Sequence, residues 1–176
     1  MEEKPHNRQP ILNPKVHWSR AIGYFQLAMY DQSIGELEAL PDQLDWSQKK
    51  RSLLIDIFQQ QKKWTEMRDV AHELCLEFPQ DAQWWVLDAY ATRRSKSIEA
   101  AREILLEALL HHYEDALIRF NLACYACQLG SFGECLDFLK EAVRRDSRYK
   151  TMAMEDEDLE EVRQTLREMG WGDVVV

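Results

Sequence analysis

Small and apolar side chains return along this chain at a fixed interval of 34 residues. The windows 14–47, 48–81, 82–115 and 116–149 align without a gap. Columns 8, 20, 24 and 27 of this alignment are filled almost entirely by small or apolar residues: Ala21, Ile55, Ala89 and Ala123; Ser33, Met67, Ala101 and Cys135; Leu37, Ala71, Leu105 and Leu139; Leu40, Leu74, Ala108 and Ala142. Such a period predicts a stack of helix pairs, since one pair cannot bury its own apolar face.

Each window is expected to hold two antiparallel helices, A and B. Small side chains are needed where helix backbones approach closely, and larger ones such as Tyr30, Trp64, Ile98 and Phe132 in column 17 fill the space between. Proline stops and glycine or polar turns then predict the helix limits. The A helices are expected at 16–28, from Asp45 or Ser47 to 61, at 82–92 and at 116–129, and the B helices at 30–40, 64–77, 97–110 and 132–145.

A ninth helix is predicted beyond the repeats, at about 156–169. The acidic run that begins it suits the positive end of a helix. Leu159, Val162, Leu166 and Met169 give it one apolar stripe, which would cover the open face of the fourth repeat. We therefore divide the chain into a flexible arm at 1–13, four repeats at 14–149, and a capping helix with a tail at 150–176. The tail Val174–Val176 could pack back on the domain or form a sticky end.

The repeat resembles the tetratricopeptide family. The resemblance is strongest in the fourth window, where Asn121, Gly130, Phe132 and Asp146 match that family, and Trp64, Trp85 and Pro79 support it in earlier windows. The first window is divergent, with Arg20 where Leu is usual, as terminal repeats often are. The resemblance, which extends to small bacterial members, implies an all-α fold: a right-handed α-solenoid of four helix pairs with a C-terminal capping helix.

Composition and charge narrow the possible partners. The net charge is −9, from 22 Lys and Arg against 31 Asp and Glu. This balance disfavours binding to nucleic acid, which needs clustered basic residues, and docking on anionic lipid. No run of about 18 apolar residues is present, so no membrane span is expected. Met1–Pro14 is polar and lacks the apolar core of a secretory signal, which makes a cytoplasmic location the expectation.

Neither a cofactor nor a metal site is predicted. Cys124 and Cys127 lie one helical turn apart, but no second Cys pair or His pair is placed to complete a zinc site. Cys135 occupies a small-residue column, where packing explains it. No nucleophile has a His and an acid at motif spacing, and no glycine-rich phosphate loop occurs. The chain is therefore predicted not to be an enzyme.

The resemblance also implies where a partner would bind. In this family, side chains of the A helices line a concave groove. The matching positions with candidate binding side chains in this sequence are Trp18, Ile22, Phe25, Asp56, Gln59, Tyr90, Arg93, Arg94, Phe120 and Cys124. The aromatic residues suit anchors for a peptide or a partner helix, and they are equally suited to a core. Arg93 and Arg94 could bind an acidic partner or form a solvated turn. Trp84 is expected to be free for the surface.

We expect a non-catalytic protein-interaction module with a peptide or partner helix in the groove. Two alternatives stay open: a chaperone of secreted substrates similar to those of type III secretion, and a regulatory subunit of an enzyme. The clamp with which some relatives hold acidic chaperone tails is absent, because its positions carry Trp18, Ile22, Leu53, Gln83 and Leu87. The sequence predicts neither the identity of the partner nor the oligomeric state.

Overall fold

The computed structural model describes residues 13–172, apart from the side chains at 44 and 45. The arm predicted at 1–13 lies outside this range except for Asn13, and so does the tail Val174–Val176. The described part contains ten α-helices, one 3-10 helix at Glu157–Val162 and no strand, which confirms the all-α class. The α-helices are α1 Pro14–Gln26, α2 Tyr30–Glu38, α3 Leu44–Gln60, α4 Trp64–Glu77, α5 Ala82–Ser95, α6 Ile98–His111, α7 Ala116–Gln128, α8 Phe132–Arg145, α9 Arg148–Glu155 and α10 Arg163–Glu168.

Short polar side chains begin four of these helices. The first amide groups of a helix have no partner within it, and a side-chain oxygen just before the helix satisfies one of them. Asn13 accepts from the amide of Lys15 at 2.9 Å before α1, and Asp115 accepts from that of Ile118 at 2.8 Å before α7. Asp81 and Ser97 cap α5 and α6 in the same way. The starts of the first, third and fourth repeats, at Asn13, Asp81 and Asp115, therefore have a local cause in the sequence.

The turns between A and B helices share one backbone conformation in three of the repeats. Ala28, Lys62 and Gly130 all occupy column 15, with φ of 56°, 56° and 75°. Only glycine reaches this left-handed region without a steric cost from Cβ. Lys96, in the same column of the third repeat, has φ −130°, and Ser97 caps the following helix instead. In three repeats the turn is therefore the same for Ala, Lys and Gly, so this conformation does not require one residue type.

The four small-residue columns are all buried. None of the sixteen side chains in columns 8, 20, 24 and 27 exposes more than 4% of its surface. In the first repeat the Ser33 hydroxyl, from column 20, donates to the backbone oxygen of Ala21, from column 8, at 2.8 Å. The helix crossings therefore use the positions that the periodicity assigns to close approach.

The chain divides into two compact units, one up to Gln61 and one from Lys62 onward. The first contains α1 to α3, and its core consists of Ala21, Leu37, Leu40, Leu53 and Ile57. In the second, α4 packs on α5, α5 on α6, α6 on α7 and α7 on α8, while α9 packs on α8 and the 3-10 helix on α7.

The C-terminal region differs from the prediction of one helix at 156–169. An additional helix, α9, precedes it, and the predicted helix is split into the 3-10 helix and α10. Asp156 ends α9 and uses its side chain to accept from the amide of Asp158 at 2.9 Å, which starts a tighter turn. Leu159, Val162 and Leu166 are buried as expected, but Met169 is 39% exposed.

Two smaller expectations were also wrong. Helix α3 begins at Leu44 after Gln43, earlier than the predicted start at Asp45 or Ser47. Trp84, expected at the surface, is only 4% exposed, and its indole N–H has no partner in the described part of the chain. Trp85 donates its indole N–H to the backbone oxygen of Pro79 at 3.0 Å. Both rings are therefore structural, since α5 is packed by α4 on one side and α6 on the other.

Candidate functional site

Within the second unit, an ion pair joins α5 to an acidic segment near the C-terminus, which consists of Asp156, Glu157 and Asp158. Both terminal nitrogens of the Arg93 guanidinium donate to the Asp158 carboxylate, with Nη2 lying 2.8 Å from Oδ1 and Nη1 bonded to Oδ2. The Gln128 side chain of α7 donates to the backbone oxygen of Asp158 at 3.0 Å. A paired guanidinium and carboxylate of this kind fixes geometry as well as charge. Residue Asp158 is thus held from two A helices.

An open cleft of about 410 Å³ lies beside this ion pair. Side chains of α5 and α7 form one wall, and the acidic segment forms the other. The lining residues are Tyr90, Arg93, Arg94, Asn121, Cys124, Tyr125, Asp156, Glu157 and Asp158. Four of the predicted site residues, Tyr90, Arg93, Arg94 and Cys124, therefore come together here.

The rim of the cleft carries an aromatic pair and an exposed arginine. The rings of Trp64 and Tyr90 meet edge to face, with centroids 5.7 Å apart. The Arg94 guanidinium lies 5.3 Å from the Tyr90 centroid and 5.6 Å from that of Trp64. Cations are attracted to aromatic faces at these distances. Arg94 is exposed and pairs with no carboxylate among the described residues. Its charge therefore faces solvent, while the two rings orient its guanidinium.

The floor of the cleft is neutral. Cys124 and Tyr125 are 4% and 2% exposed. Burial raises the pKa of the Cys124 thiol well above its usual range, and it raises the pKa of Tyr125 to about 12. The thiolate is the reactive form of cysteine, so a thiol held protonated is a poor nucleophile and a poor metal ligand. Cys124 therefore contributes shape to the cleft, and its role in partner binding stays a prediction.

Ligand atoms of Cys124, Asp156 and Asp158 lie within 4.8 Å of one another, which is close enough to share a metal ion. Both carboxylate oxygens of Asp158 already accept from Arg93, and Asp156 accepts from the Asp158 amide. The cation at this position is the guanidinium, and the thiol is protonated. The donor set does not fit a metal ion.

The predicted site residues of the first unit lie mainly against its core. Trp18, Ile22 and Phe25 are half-buried and pack on the core cluster. The Trp18 ring lies 6.3 Å from that of Trp46, and the Phe25 ring lies 6.1 Å from that of Tyr30. These contacts favour the core role that the sequence left open. On α3, Asp56 is exposed and Gln59 is half-buried.

Phe120 is not an exposed anchor. It is 4% exposed, and its ring centroid lies 4.9 Å from that of Tyr149. Tyr149 belongs to α9, which the sequence pattern did not predict. The A-helix face of the fourth repeat is therefore covered by the chain's own C-terminal region, and this covering removes Phe120 from the candidate surface.

A second polar cluster escaped the sequence reasoning. Asp88 is 2% exposed and accepts from the Thr92 hydroxyl at 3.2 Å, while the His72 Nδ1 lies 3.0 Å from its other oxygen. Burial raises the pKa of Asp88, and the contact with His72 opposes that rise. The sequence did contain a signal for this buried carboxylate, because Asp88 occupies column 7, where Leu54 and Leu122 stand in two other repeats. The Thr92 hydroxyl donates its hydrogen bond to Asp88 and is therefore not available to the His72–Asp88 pair as a nucleophile.

The helices form a helical-repeat fold of the tetratricopeptide type. No protein-family model matches the chain, and no curated protein sequence matches it. Solved structures do: a crystal structure of MamA protein matches with a TM-score of 0.62 and 10% identity over 88% of each chain. The RS-1 ArsTM double mutant of MamA gives 0.61 and 14%, over 80% of this chain and 78% of the other.

A structure of MamA AMB-1 gives a TM-score of 0.60 and 14% identity, over 92% of this chain and 94% of the other. At such identities the likeness concerns the fold alone, and it confirms the α-solenoid class predicted from the 34-residue period. Across the described range, every helix is too short or too polar to span a membrane.

Proposed function

We propose that this chain is a non-catalytic module that binds a peptide or helix of a partner protein at the cleft between α5, α7 and the acidic segment. In this proposal, the module consists of helix pairs at 14–47, 48–81, 82–115 and 116–149. The observation that carries it is Arg94, an exposed cation that is oriented by two aromatic rings and has no acidic partner in the described chain.

The rim supplies the features of a binding hot spot. Trp, Tyr and Arg are the residues most enriched where a few side chains dominate an interface. Trp64 and Tyr90 offer ring surface, and their mutual packing limits the entropy lost on binding. Asn121 stands half-buried at the opposite edge. Such a rim suits a segment with an apolar or aromatic side chain and a neighbouring hydrogen-bonding group.

The state of the polar groups at the cleft supports the non-catalytic part of this proposal. Arg93 and Asp158 neutralise each other, and Cys124 is kept protonated by burial. The chaperone and regulatory-subunit alternatives would use the same cleft and differ in their partner. Identifying the partner therefore separates them. The binding roles of Trp18, Ile22, Phe25, Asp56 and Gln59 and a cytoplasmic location stay predictions.

Affinity capture from the source organism tests this proposal. The full chain, Tyr90→Ala and Arg94→Ala are immobilised at equal density, and the retained proteins are identified and quantified. We expect one partner to be retained by the native chain and lost with either substitution, with affinity falling by about 2 kcal/mol for a hot-spot residue. Circular dichroism of each variant checks that the helical content is unchanged.

Leu110→Ala is the matched control. Leu110 is a large apolar side chain, 81% exposed on α6 and outside the cleft. Its removal is expected to leave the retained partner unchanged. A partner that is lost with Leu110→Ala and kept by Tyr90→Ala and Arg94→Ala would place the binding surface elsewhere and refute the proposal.

A further inference from the structure

The acidic segment occupies the cleft in the manner of a bound ligand. Asp156, Glu157 and Asp158 form its wall, and Asp158 receives both arms of Arg93 together with the side-chain amide of Gln128. Arg93 and Gln128 belong to different A helices. Two helices, α5 and α7, therefore converge on one carboxylate-bearing residue.

The segment is anchored separately from the part that enters the cleft. Leu159 is 0% exposed and Val162 is 3% exposed, so the 3-10 helix is fixed to α7 by apolar packing. Asp158 is different, because its side chain keeps 26% of its surface exposed. Its ion pair with Arg93 can therefore open without removing the apolar anchor from the core.

The cleft is lined by two arginines and by the three carboxylates of the acidic segment, so an acidic partner is favoured where it takes the place of those carboxylates. Arg93 and Arg94 are adjacent, and only Arg93 is neutralised by Asp158. A carboxylate that approaches Arg94 meets a guanidinium without an acidic partner in the described chain, and an adjacent carboxylate would reach the same position that Asp158 now holds. Arg–carboxylate pairs supply the directional contacts that such recognition needs.

We infer that Asp156–Asp158 is an internal competitor for a site that accepts an acidic segment of a partner protein, with Arg93 and Arg94 as the carboxylate-binding residues. This inference rests on the proposed function and specifies the chemistry of its partner. The internal segment lowers the apparent affinity for the partner, because binding requires the fraction of molecules in which Asp158 has released Arg93. The carboxylate-binding position at Arg93 is therefore occupied by Asp158 by default and is released by competition.

A peptide added in trans tests the inference. The probe is a fluorescein-labelled peptide with the sequence of residues 155–162, EDEDLEEV, titrated with the full chain and followed by fluorescence anisotropy. Asp158→Asn in the protein removes the competing charge, and it should raise the affinity for the probe by about tenfold or more. Adding Arg93→Gln to that variant should abolish the gain.

Glu160→Gln is the matched control, since it removes the same charge from the same 3-10 helix at an exposed position outside the cleft. It should leave probe affinity at the native level. Gln128→Ala provides a second release variant that keeps all charges, and it should also strengthen probe binding. Thermal unfolding by circular dichroism checks that each variant remains folded.

Equal probe affinity in the native chain, Asp158→Asn and Gln128→Ala would overturn the inference, and so would an equal gain in Glu160→Gln. If no variant binds the probe while Tyr90→Ala still loses the captured partner, the internal competitor is refuted and the proposed function stands. If Tyr90→Ala also retains the partner, both fail.

Discussion

Replacing Asp88 by Leu should stabilise the protein, although it removes a side chain with two hydrogen-bonding partners. The carboxylate is 2% exposed and bonded to His72 and Thr92. Column 7 holds leucine in two other repeats, so the local backbone geometry suits an apolar residue. The cleft of about 490 Å³ that Asp88 lines leaves space for the larger side chain.

The expected magnitude follows from opposing contributions. Loss of the bonds leaves the buried Thr92 hydroxyl without its acceptor, at a cost of about 1–3 kcal/mol. Burial of a leucine side chain contributes about 1.5–3 kcal/mol. Removal of the desolvation penalty of the carboxylate adds to this, and His72, which loses its partner, is 61% exposed and can be solvated by water. We expect a net gain of about 1 kcal/mol near neutral pH.

The gain should depend on pH in a defined direction. The pKa of Asp88 is raised above its ordinary value of 3.8, so the folded state binds the proton more tightly than the unfolded state. Below pH 3.8 both states are protonated and the carboxylate carries no charge penalty. As the pH rises through the folded pKa, the native chain loses stability relative to Asp88→Leu. The charged and titratable groups around this cleft are Arg68, Asp69 and His72 on α4, Lys96 after α5, and Glu103 on α6.

Urea unfolding of both proteins, followed by far-ultraviolet circular dichroism at several pH values, measures the difference. His72→Leu is the companion variant, because it keeps the buried carboxylate and removes its partner, and it should destabilise by about 1–3 kcal/mol. The reasoning is refuted if Asp88→Leu is less stable than the native chain by more than about 1 kcal/mol, or if its advantage shrinks with rising pH.

Three further predictions concern packing and turns. Ala101→Phe and Ala123→Phe, at side chains that are 0% exposed, should each cost about 1–3 kcal/mol or more in urea unfolding, and neutral results at both positions would show that the repeat register is wrong. Gly130→Ala should destabilise the protein by about 1 kcal/mol because φ is +75° at this position. Gly35→Ala lies inside α2 with open space around an added Cβ, and it should stabilise the protein by a similar amount, about 1 kcal/mol. Changes of the same sign in the free energy of unfolding would contradict the turn argument. Tyr149→Ala should cost about 3 kcal/mol by uncovering the fourth repeat, and an unchanged thermal midpoint would mean that α9 covers nothing.

The periodicity predicted most of the fold because helix crossings impose a local requirement. A small side chain in columns 8 or 20 is needed wherever two backbones approach, and the environment of Ala21 or Ala101 is therefore repeated along the chain. Helix α9 lacked such a signal. Of its buried residues, Tyr149 is the last residue of the fourth window and Ala153 lies beyond it, and no side chain caps the start of the helix.

The candidate site was less predictable for a related reason. Exposure of an A-helix residue depends on what lies over it, and the covering element is distant in sequence. Arg93 and Asp158 are separated by 65 positions, so neither the ion pair nor the acidic wall of the cleft follows from local pattern. The sequence could place Tyr90 and Arg94 together because their columns, 9 and 13, are set by the repeat. Phe120 has an equivalent place in its repeat, but α9 covers it.

The buried thiols give this protein an internal set of reporters for local opening. All four cysteines, Cys75, Cys124, Cys127 and Cys135, are free and buried, and burial raises the pKa of each thiol. A thiol-reactive dye can therefore modify only molecules in which a segment has transiently separated, and mass spectrometry reveals which cysteine was reached. If the C-terminal region detaches first, the dye will label Cys124 and Cys127 on α7 before it labels Cys75 on α4. The order of labelling would reveal the sequence in which parts of the second unit come apart, without any engineered probe.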